Sequence, residues 1–223
     1  ALLMGLGCLG LAAYGLDKWF GLEGSDGRRF VISMASTFMF QGLVLVLVQR
    51  FLRENQLAWS AAFGLRHPRW GRALALAVGA AILTVPVNMS LMWLSQRLME
   101  WQSLEPVAQR AVEVVQTSTR VDQKVLLGCL AIVTAPVVEE LLFRGIFYPA
   151  IKQAGYPRLA LWSTALVFAA THAHLPTFLP LTFFALVLTF LYEYTENLLA
   201  PIVAHSLFNS INYLWALLAS QVS

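Results

Sequence analysis

Charged residues interrupt an apolar stretch in the middle of the chain. The segment Thr134–Gly145, TAPVVEELLFRG, places Glu139, Glu140 and Arg144 among residues that are otherwise typical of a membrane-spanning helix. A charged side chain at bilayer depth costs about 2.5–3.5 kcal/mol on insertion scales, so intramembrane carboxylates usually mark a functional site. Two adjacent carboxylates can activate water as general bases or contribute ligands to a metal ion.

The spacing of these three residues suggests different tasks for the two glutamates. Consecutive residues of a helix point about 100° apart, so Glu139 and Glu140 cannot face the same direction. Glu140 and Arg144 are one turn apart, with the acid first, which is the favourable order for an ion pair. We therefore expect a structural Glu140–Arg144 ion pair and a reactive Glu139 facing the helix bundle. The alternative is that all three form a buried packing network.

Polar residues also interrupt two later apolar runs. His172 ends one of them, and His205 and Asn209 lie four residues apart in the other. An imidazole and an amide on one helix face provide two hydrogen-bond donors that can stabilise an oxyanion. The alternative for both runs is a structural contact, because polar side chains also bridge neighbouring membrane helices.

The composition indicates a helical membrane protein. Of the 223 residues, 58% are hydrophobic and only 12% are charged, whereas soluble domains average about 25% charged residues. The apolar runs are long, whereas a membrane β-barrel would show short segments in which apolar and polar residues alternate. The net charge of +3 is too small and too dispersed for a nucleic-acid-binding surface. The expected partner on these grounds is the lipid bilayer, and the oligomeric state stays open.

About 20 apolar residues are needed to cross a bilayer as a helix, so the sequence predicts an all-α bundle of about seven spans in one membrane domain, residues 1–223. The predicted spans are Leu2–Trp19, Phe30–Val48, Ala73–Leu94, Val125–Ile151, Leu159–Thr171, Leu179–Tyr192 and Leu198–Leu218. Leu57–Arg72 has the tryptophans and arginines of an interfacial segment. Gln96–Lys124 is predicted to be a loop with one amphipathic helix.

The fourth and fifth predicted spans are joined by a turn near Gly155-Tyr156-Pro157, a cluster of helix-breaking residues. Glu139 lies 16 residues before Gly155, and His172 lies 17 residues after it. On adjacent antiparallel helices, equal path lengths from the turn give equal depths. We therefore expect Glu139 and His172 to lie at the same level of the bundle.

Basic residues predict the orientation in the membrane. The connection after the second span contains five arginines and one acid, which favours a cytoplasmic location. These residues are Arg50, Arg53, Arg66, Arg69, Arg72 and Glu54. The expected arrangement is an integral protein of the plasma (inner) membrane with a cytoplasmic N-terminus and, for seven spans, an external C-terminus.

Three motifs together resemble the CPBP family, which comprises CAAX proteases and bacteriocin-processing enzymes and includes the type II CAAX prenyl endopeptidases. The resemblance covers roughly Leu126–Tyr213. In chain order the motifs are Glu139-Glu140-x-x-x-Arg144, Phe168-x-x-x-His172 and His205-x-x-x-Asn209. The resemblance implies an all-helical membrane bundle with a polar cavity entered from the cytoplasmic side, and an activity that hydrolyses a peptide bond.

The resemblance also implies a role for each motif residue. Glu139 and His172 would activate water, His205 and Asn209 would stabilise the tetrahedral intermediate, and Glu140, Arg144 and Phe168 would support the site. The chain departs from the family outside these positions: Ala185 and Thr189 stand where many members have glycines, and Glu196 replaces a glycine expected after Thr195.

Two mechanisms fit these residues equally well. In one, Glu139 and His172 activate water without a metal. In the other, Glu139, His172 and His205 bind Zn²⁺ and leave one coordination position open, as in catalytic zinc sites. The soluble metalloprotease motif H-E-x-x-H is absent from the sequence.

The leading hypothesis is an intramembrane endopeptidase acting on a C-terminal peptide, a leader peptide or a membrane protein. One alternative is a non-proteolytic bacteriocin-immunity or scaffold protein. A second is a transporter or proton relay using the Glu/His chain, but the internal repeats frequent in transporters are not evident here.

Overall fold

The computed structural model describes residues 26–65, 70–104, 110–118 and 120–219, among which no β-strand occurs. The chain divides into two compact units, residues 1–57 and 58–223. Helix α1, Asp26–Glu54, belongs to the first unit and contains the predicted span Phe30–Val48. The predicted span Leu2–Trp19 lies outside the described residues.

The second unit is a helical bundle, which confirms the predicted all-α class. Helix α3 packs against α7 and α8, α6 packs against α7 and the C-terminal part of α5, and α8 packs against α5. The helices are α2 (Trp59–Ala62), α3 (Trp70–Trp101), α4 (Arg110–Thr117), α5 (Val121–Gln153), α6 (Pro157–Thr171), α7 (Leu175–Thr195) and α8 (Leu199–Ala219).

Five helices within the described part of the chain are long and apolar enough to cross a membrane: α3, α5, α7, α8 and Met34–Glu54 of α1. Helix α6 corresponds to the predicted fifth span but has 15 residues, about 22 Å of helix, which is shorter than the hydrocarbon core of about 30 Å. Helix α3 continues to Trp101, beyond the predicted end at Leu94. The predicted number of seven spans is therefore not confirmed.

Small residues line the buried face of α3. Ala73, Ala77, Ala81 and Thr84 recur at helical spacing and are buried. Small side chains let membrane helices approach closely. This face therefore allows α3 to pack against both α7 and α8, the two helices that complete the site.

Helix α5 is a continuous helix with two π-helical turns, Leu130–Thr134 and Phe143–Phe147. At the end of the first turn, the Ala135 N–H donates to the Leu130 carbonyl, five residues earlier. Glu139 and Glu140, called the acidic run below, lie in the α-helical stretch Ala135–Leu142 between the two turns. Neither turn was predicted from the sequence pattern, although π-helical turns occur often at functional sites.

Tight turns join the helices that follow α5. Gly155 has a φ of +94°, a conformation open to glycine because it lacks a Cβ. Pro157 then begins α6, in the first-turn position where its missing N–H costs nothing. The predicted turn at Gly155-Tyr156-Pro157 is therefore confirmed.

Glu196 ends α7 in the left-handed conformation, with a φ of +50°. Helices often place glycine at this position, which accounts physically for the glycine expected there by family resemblance. The Glu196 carbonyl, at the junction of α7 and α8, packs against Gly64. Gly64 has a φ of +65°, and a Cβ at this position would collide with the Glu196 carbonyl oxygen. The Leu198 N–H also donates to the Phe63 carbonyl at 3.1 Å.

Candidate active site

A fully buried carboxylate stands at the centre of the site. Glu140, on α5, has no exposed surface. Its Oε1 accepts a hydrogen bond from Arg144 Nη1 at 2.9 Å and lies 2.9 Å from Nδ1 of His205 on α8. Arg144 and His205 are themselves only 1% and 3% exposed. The ion pair expected between Glu140 and Arg144 is therefore present, and it also binds the histidine of the third motif.

Arg144 is held from α7 as well as from its own helix. Its Nη2 donates to the Ala185 carbonyl at 2.7 Å, and its Nε donates to Thr189 Oγ1 at 3.4 Å. The guanidinium lies 5.1 Å from the centre of the Phe168 ring. Ala185 and Thr189 are the two positions where glycine was expected by resemblance. Here their small side chains let the guanidinium approach α7, and Thr189 adds a hydrogen-bond acceptor.

Glu139 occupies a different environment from its neighbour. Its side chain is 30% exposed, and its Oε2 lies 3.8 Å from Nε2 of His205. This separation is too long for a direct hydrogen bond. Oε2 is buried and has no hydrogen-bond partner within the described part of the protein. Glu140 Oε2 also lacks a partner there, but Glu140 is fully buried and its Oε1 binds Arg144 and His205, whereas Glu139 is the partly exposed carboxylate and makes no direct hydrogen bond to either.

The imidazole of His205 is fixed in both position and tautomer. Since its Nδ1 faces a carboxylate oxygen of Glu140, Nδ1 carries the hydrogen and Nε2 is directed toward Glu139. Phe168 and Phe184 contact the ring edge-to-face, with centroids 5.7 and 5.3 Å away. These contacts restrict rotation of the imidazole and keep Nε2 beside the free carboxylate.

His172 caps the C-terminus of α6 and is half-buried. Its Nδ1 lies 2.9 Å from the Phe168 carbonyl, so Nδ1 donates and Nε2 keeps its lone pair in the neutral form. The rings of Phe143 and Phe168 are 5.2 Å apart across α5 and α6. Glu139 precedes Phe143 by one turn and His172 follows Phe168 by one turn, which agrees with the equal depth expected from the sequence.

The motif residues are not all brought into one cluster. The ring of Phe168 links the second and third motifs, because it contacts His172 at 5.0 Å and His205 at 5.7 Å. Asn209 is placed differently: its Nδ2 donates to the Ala131 carbonyl at 2.8 Å. It therefore contacts α5 in the first π-helical turn, and no contact with the acidic run is found among the described residues.

The structure does not assemble the metal ligands expected for the zinc alternative. Within the described ranges, no group of three His, Cys, Asp or Glu side chains is arranged to hold a metal ion. Glu139 and His205 approach each other, but His172 does not complete the group. These residues therefore do not fit a three-ligand zinc site in this arrangement.

Two groups at the site and one buried amide on α3 were not predicted from the sequence. The acceptor carbonyl of Ala185 and the ring of Phe184 carry no local sequence signal. Asn88 does carry one, because it is an amide inside an apolar run. It lies on α3, is 6% exposed, and neither of its amide atoms has a hydrogen-bond partner in the part of the chain that the structure describes.

Replacing Arg144 by Met should destabilise the protein strongly, because Glu140 would remain buried without its counter-charge. Breaking a buried ion pair costs about 3–5 kcal/mol. The measurement is thermal unfolding in detergent. The control is Arg97→Met, which breaks an exposed pair with Glu100 whose side chains are 60% and 51% exposed, and which should cost less than about 1 kcal/mol. Equal losses from both variants would contradict a structural role for the Glu140–Arg144 pair.

Comparison with known proteins supports the resemblance seen in the motifs. No curated protein and no solved structure is similar enough to the chain to count as a match. Residues 121–211 match the family model described as type II CAAX prenyl endopeptidase Rce1-like. This range contains α5, α6, α7 and most of α8, and with them every motif residue. The predicted resemblance to CAAX proteases is thereby confirmed for residues 121–211, which form an Rce1-like segment.

Proposed function

We propose that this protein is a CAAX-type intramembrane endopeptidase in which the carboxylate of Glu139 activates water. The family match supports a membrane protease at the level of the family. The observation that carries the mechanism is the free Oε2 of Glu139, 3.8 Å from Nε2 of a buried His205. The neighbouring carboxylate of Glu140 fixes that histidine and is itself neutralised by Arg144.

The first step is attack of water on the scissile carbonyl. A separation of 3.8 Å between two polar atoms suits a water molecule that bonds to both. Glu139 takes a proton from this water while the water oxygen forms a bond to the carbonyl carbon. His172, at the same level on α6, bonds through Nδ1 to the Phe168 carbonyl, and we propose that its side chain turns Nε2 toward this water when the substrate is bound. A positioned general base of this kind contributes about 10²–10⁴-fold to a rate.

The second step is collapse of the tetrahedral intermediate. While the oxyanion exists, the proton taken by Glu139 is shared with Nε2 of His205, whose Nδ1–H stays on Glu140, so that Nε2–H faces the oxyanion. Asn209 uses one amide hydrogen on Ala131, and its second amide hydrogen is available to the same oxyanion. Donors aimed at developing charge are usually the largest contribution to catalysis. The C–N bond then breaks, and the proton taken by Glu139 passes through His172 to the leaving amine.

The proposed substrate is a CAAX-type C-terminal peptide that reaches the site from the cytoplasmic side of the plasma membrane. Basic residues at one end of the second unit support this orientation. Arg72 of α3 bonds to Tyr194, and Lys152 of α5 bonds to Glu193, so both basic residues lie at the α7–α8 junction.

The two adjacent glutamates provide a matched pair of variants. Glu139→Gln should abolish peptide cleavage and leave the melting temperature in detergent almost unchanged, because Glu139 Oε2 makes no direct hydrogen bond to the described residues and lies 3.8 Å from His205. Glu140→Gln should lower both activity and melting temperature, because it removes the charge between Arg144 and His205. Cleavage at the wild-type rate by Glu139→Gln would refute the proposed mechanism.

Metal dependence is expected to be absent, because within the described ranges no third His, Cys, Asp or Glu side chain is arranged with Glu139 and His205 to hold a metal ion. The test is cleavage by the purified protein before and after dialysis against a strong chelator, with metal content measured on the same samples. We expect no stoichiometric zinc and no loss of activity. Loss of activity that zinc alone restores would instead support the metal alternative and a rearranged His172.

A further inference from the structure

The hydrogen bond from Asn209 to Ala131 lies at an interruption in the backbone bonding of α5. In the first π-helical turn, the Ala135 N–H is used by the Leu130 carbonyl. In the same five-residue pattern, the Ala131 carbonyl would accept from the N–H of residue 136. Residue 136 is proline, which has no N–H. In an α-helix the donor to the Ala131 carbonyl would be the Ala135 N–H, but this N–H already bonds to the Leu130 carbonyl.

Asn209 supplies the donor that Pro136 lacks. Its Nδ2 lies 2.8 Å from the Ala131 oxygen. The Ala131 carbonyl is partly buried, and backbone carbonyls that are shielded from water are nearly all paired with a donor. The amide of α8 therefore completes the backbone bonding of α5 in the turn just before Glu139. Tyr213, one turn further along α8, also bonds to α5, at the Lys124 carbonyl.

The position of this bond bears directly on the acidic run. A π-helical turn contains one residue more than an α-helical turn, so its presence or loss rotates the residues that follow by about one position. Glu139 and Glu140 are the third and fourth residues after Pro136. A rotation by one position would bring one glutamate to the direction that the other has now and turn the second glutamate away, so the free and the buried carboxylate would not both keep their places.

We propose that Asn209 is a positioning residue: by bonding to the carbonyl left unpaired by Pro136, it fixes the π-helical turn that points Glu139 toward Nε2 of His205. This inference rests on the proposed function for its catalytic consequence, and it adds a role for Asn209 besides donation to an oxyanion. His205 and Asn209 then hold α5 from one face of α8: His205 bonds to the Glu140 carboxylate, and Asn209 bonds to the Ala131 carbonyl.

The test is a double-mutant cycle between Asn209 and Pro136. Asn209→Ala, Pro136→Ala and the double variant are purified in detergent, and their melting temperatures and kcat values for peptide cleavage are measured. Pro136→Ala supplies a backbone N–H, so the carbonyl of Ala131 no longer depends on Asn209. The matched control is Asn212→Ala, because the hydrogen bond that Asn212 makes in the described part of the chain stays within α8, at the Phe208 carbonyl.

In the native background, Asn209→Ala should lower the melting temperature by roughly 4 °C. It should also lower kcat more than it changes KM, because Glu139 is displaced. In the Pro136→Ala background both losses should shrink, with a coupling in kcat of about tenfold. Asn212→Ala should change neither quantity appreciably.

Equal losses on Asn209→Ala in both backgrounds would overturn the inference, since a residue that acts only on an oxyanion does not interact with Pro136. Coupling in melting temperature without coupling in kcat would overturn the positioning role. If Pro136→Ala alone abolishes cleavage, the melting-temperature cycle decides, and absence of coupling there overturns the proposal. A wild-type protein that cleaves no peptide would refute the proposed function, and the stability cycle would still test whether Asn209 completes α5.

Discussion

The buried carboxylate of Glu140 is the interaction on which the rest of the site depends. A charge without exposed surface inside a membrane bundle is stable only when donors surround it. Arg144 and His205 provide these donors, and each brings a further helix with it. Arg144 extends to two acceptors on α7, and His205 comes from α8. The ring of Phe168, on α6, packs against both. A single buried charge thus determines which four helices meet.

This arrangement explains how adjacent residues of identical chemistry take different roles. Glu140 is fully buried, and its Oε1 accepts from an arginine and faces a histidine nitrogen, so its carboxylate builds the site although Oε2 has no hydrogen-bond partner among the described residues. Glu139 points away from the ion pair, is partly exposed, and keeps an oxygen beside His205 Nε2. The division follows from the 100° step of the helix together with the position of α8. The small residues of α7 at Ala185 and Thr189 are part of the same requirement, because the guanidinium must reach that backbone.

Local sequence patterns predicted the features that depend on residues close in the chain. The Glu140–Arg144 pair follows from its spacing, the turn at Gly155 from its breaker residues, and the all-α class from the apolar runs. The equal depth of Glu139 and His172 followed from counting residues along two antiparallel helices. The order and spacing of the three motifs also indicated the family that residues 121–211 match.

Features that depend on distant residues were not predictable in this way. The acceptors of Arg144 lie 41 and 45 residues away, and Ala131 lies 78 residues from Asn209. The π-helical turns were not predicted because hydrophobic periodicity does not report the register of backbone hydrogen bonds. The short α6 and the long α3 show that apolar composition predicts that a segment is helical more reliably than it predicts where the helix ends.

The most direct test of the central claim is the affinity of the purified protein for a peptide phosphonate, a tetrahedral analogue of the hydrolytic intermediate. Its Kd is compared with that of the corresponding uncleaved peptide, both as CAAX-type sequences with and without a prenyl group. A site in which Glu139 and His205 stabilise a tetrahedral intermediate should bind the phosphonate at least about 100-fold more tightly. Equal affinity for the two ligands, in a protein that binds the peptide, would contradict hydrolysis at this site.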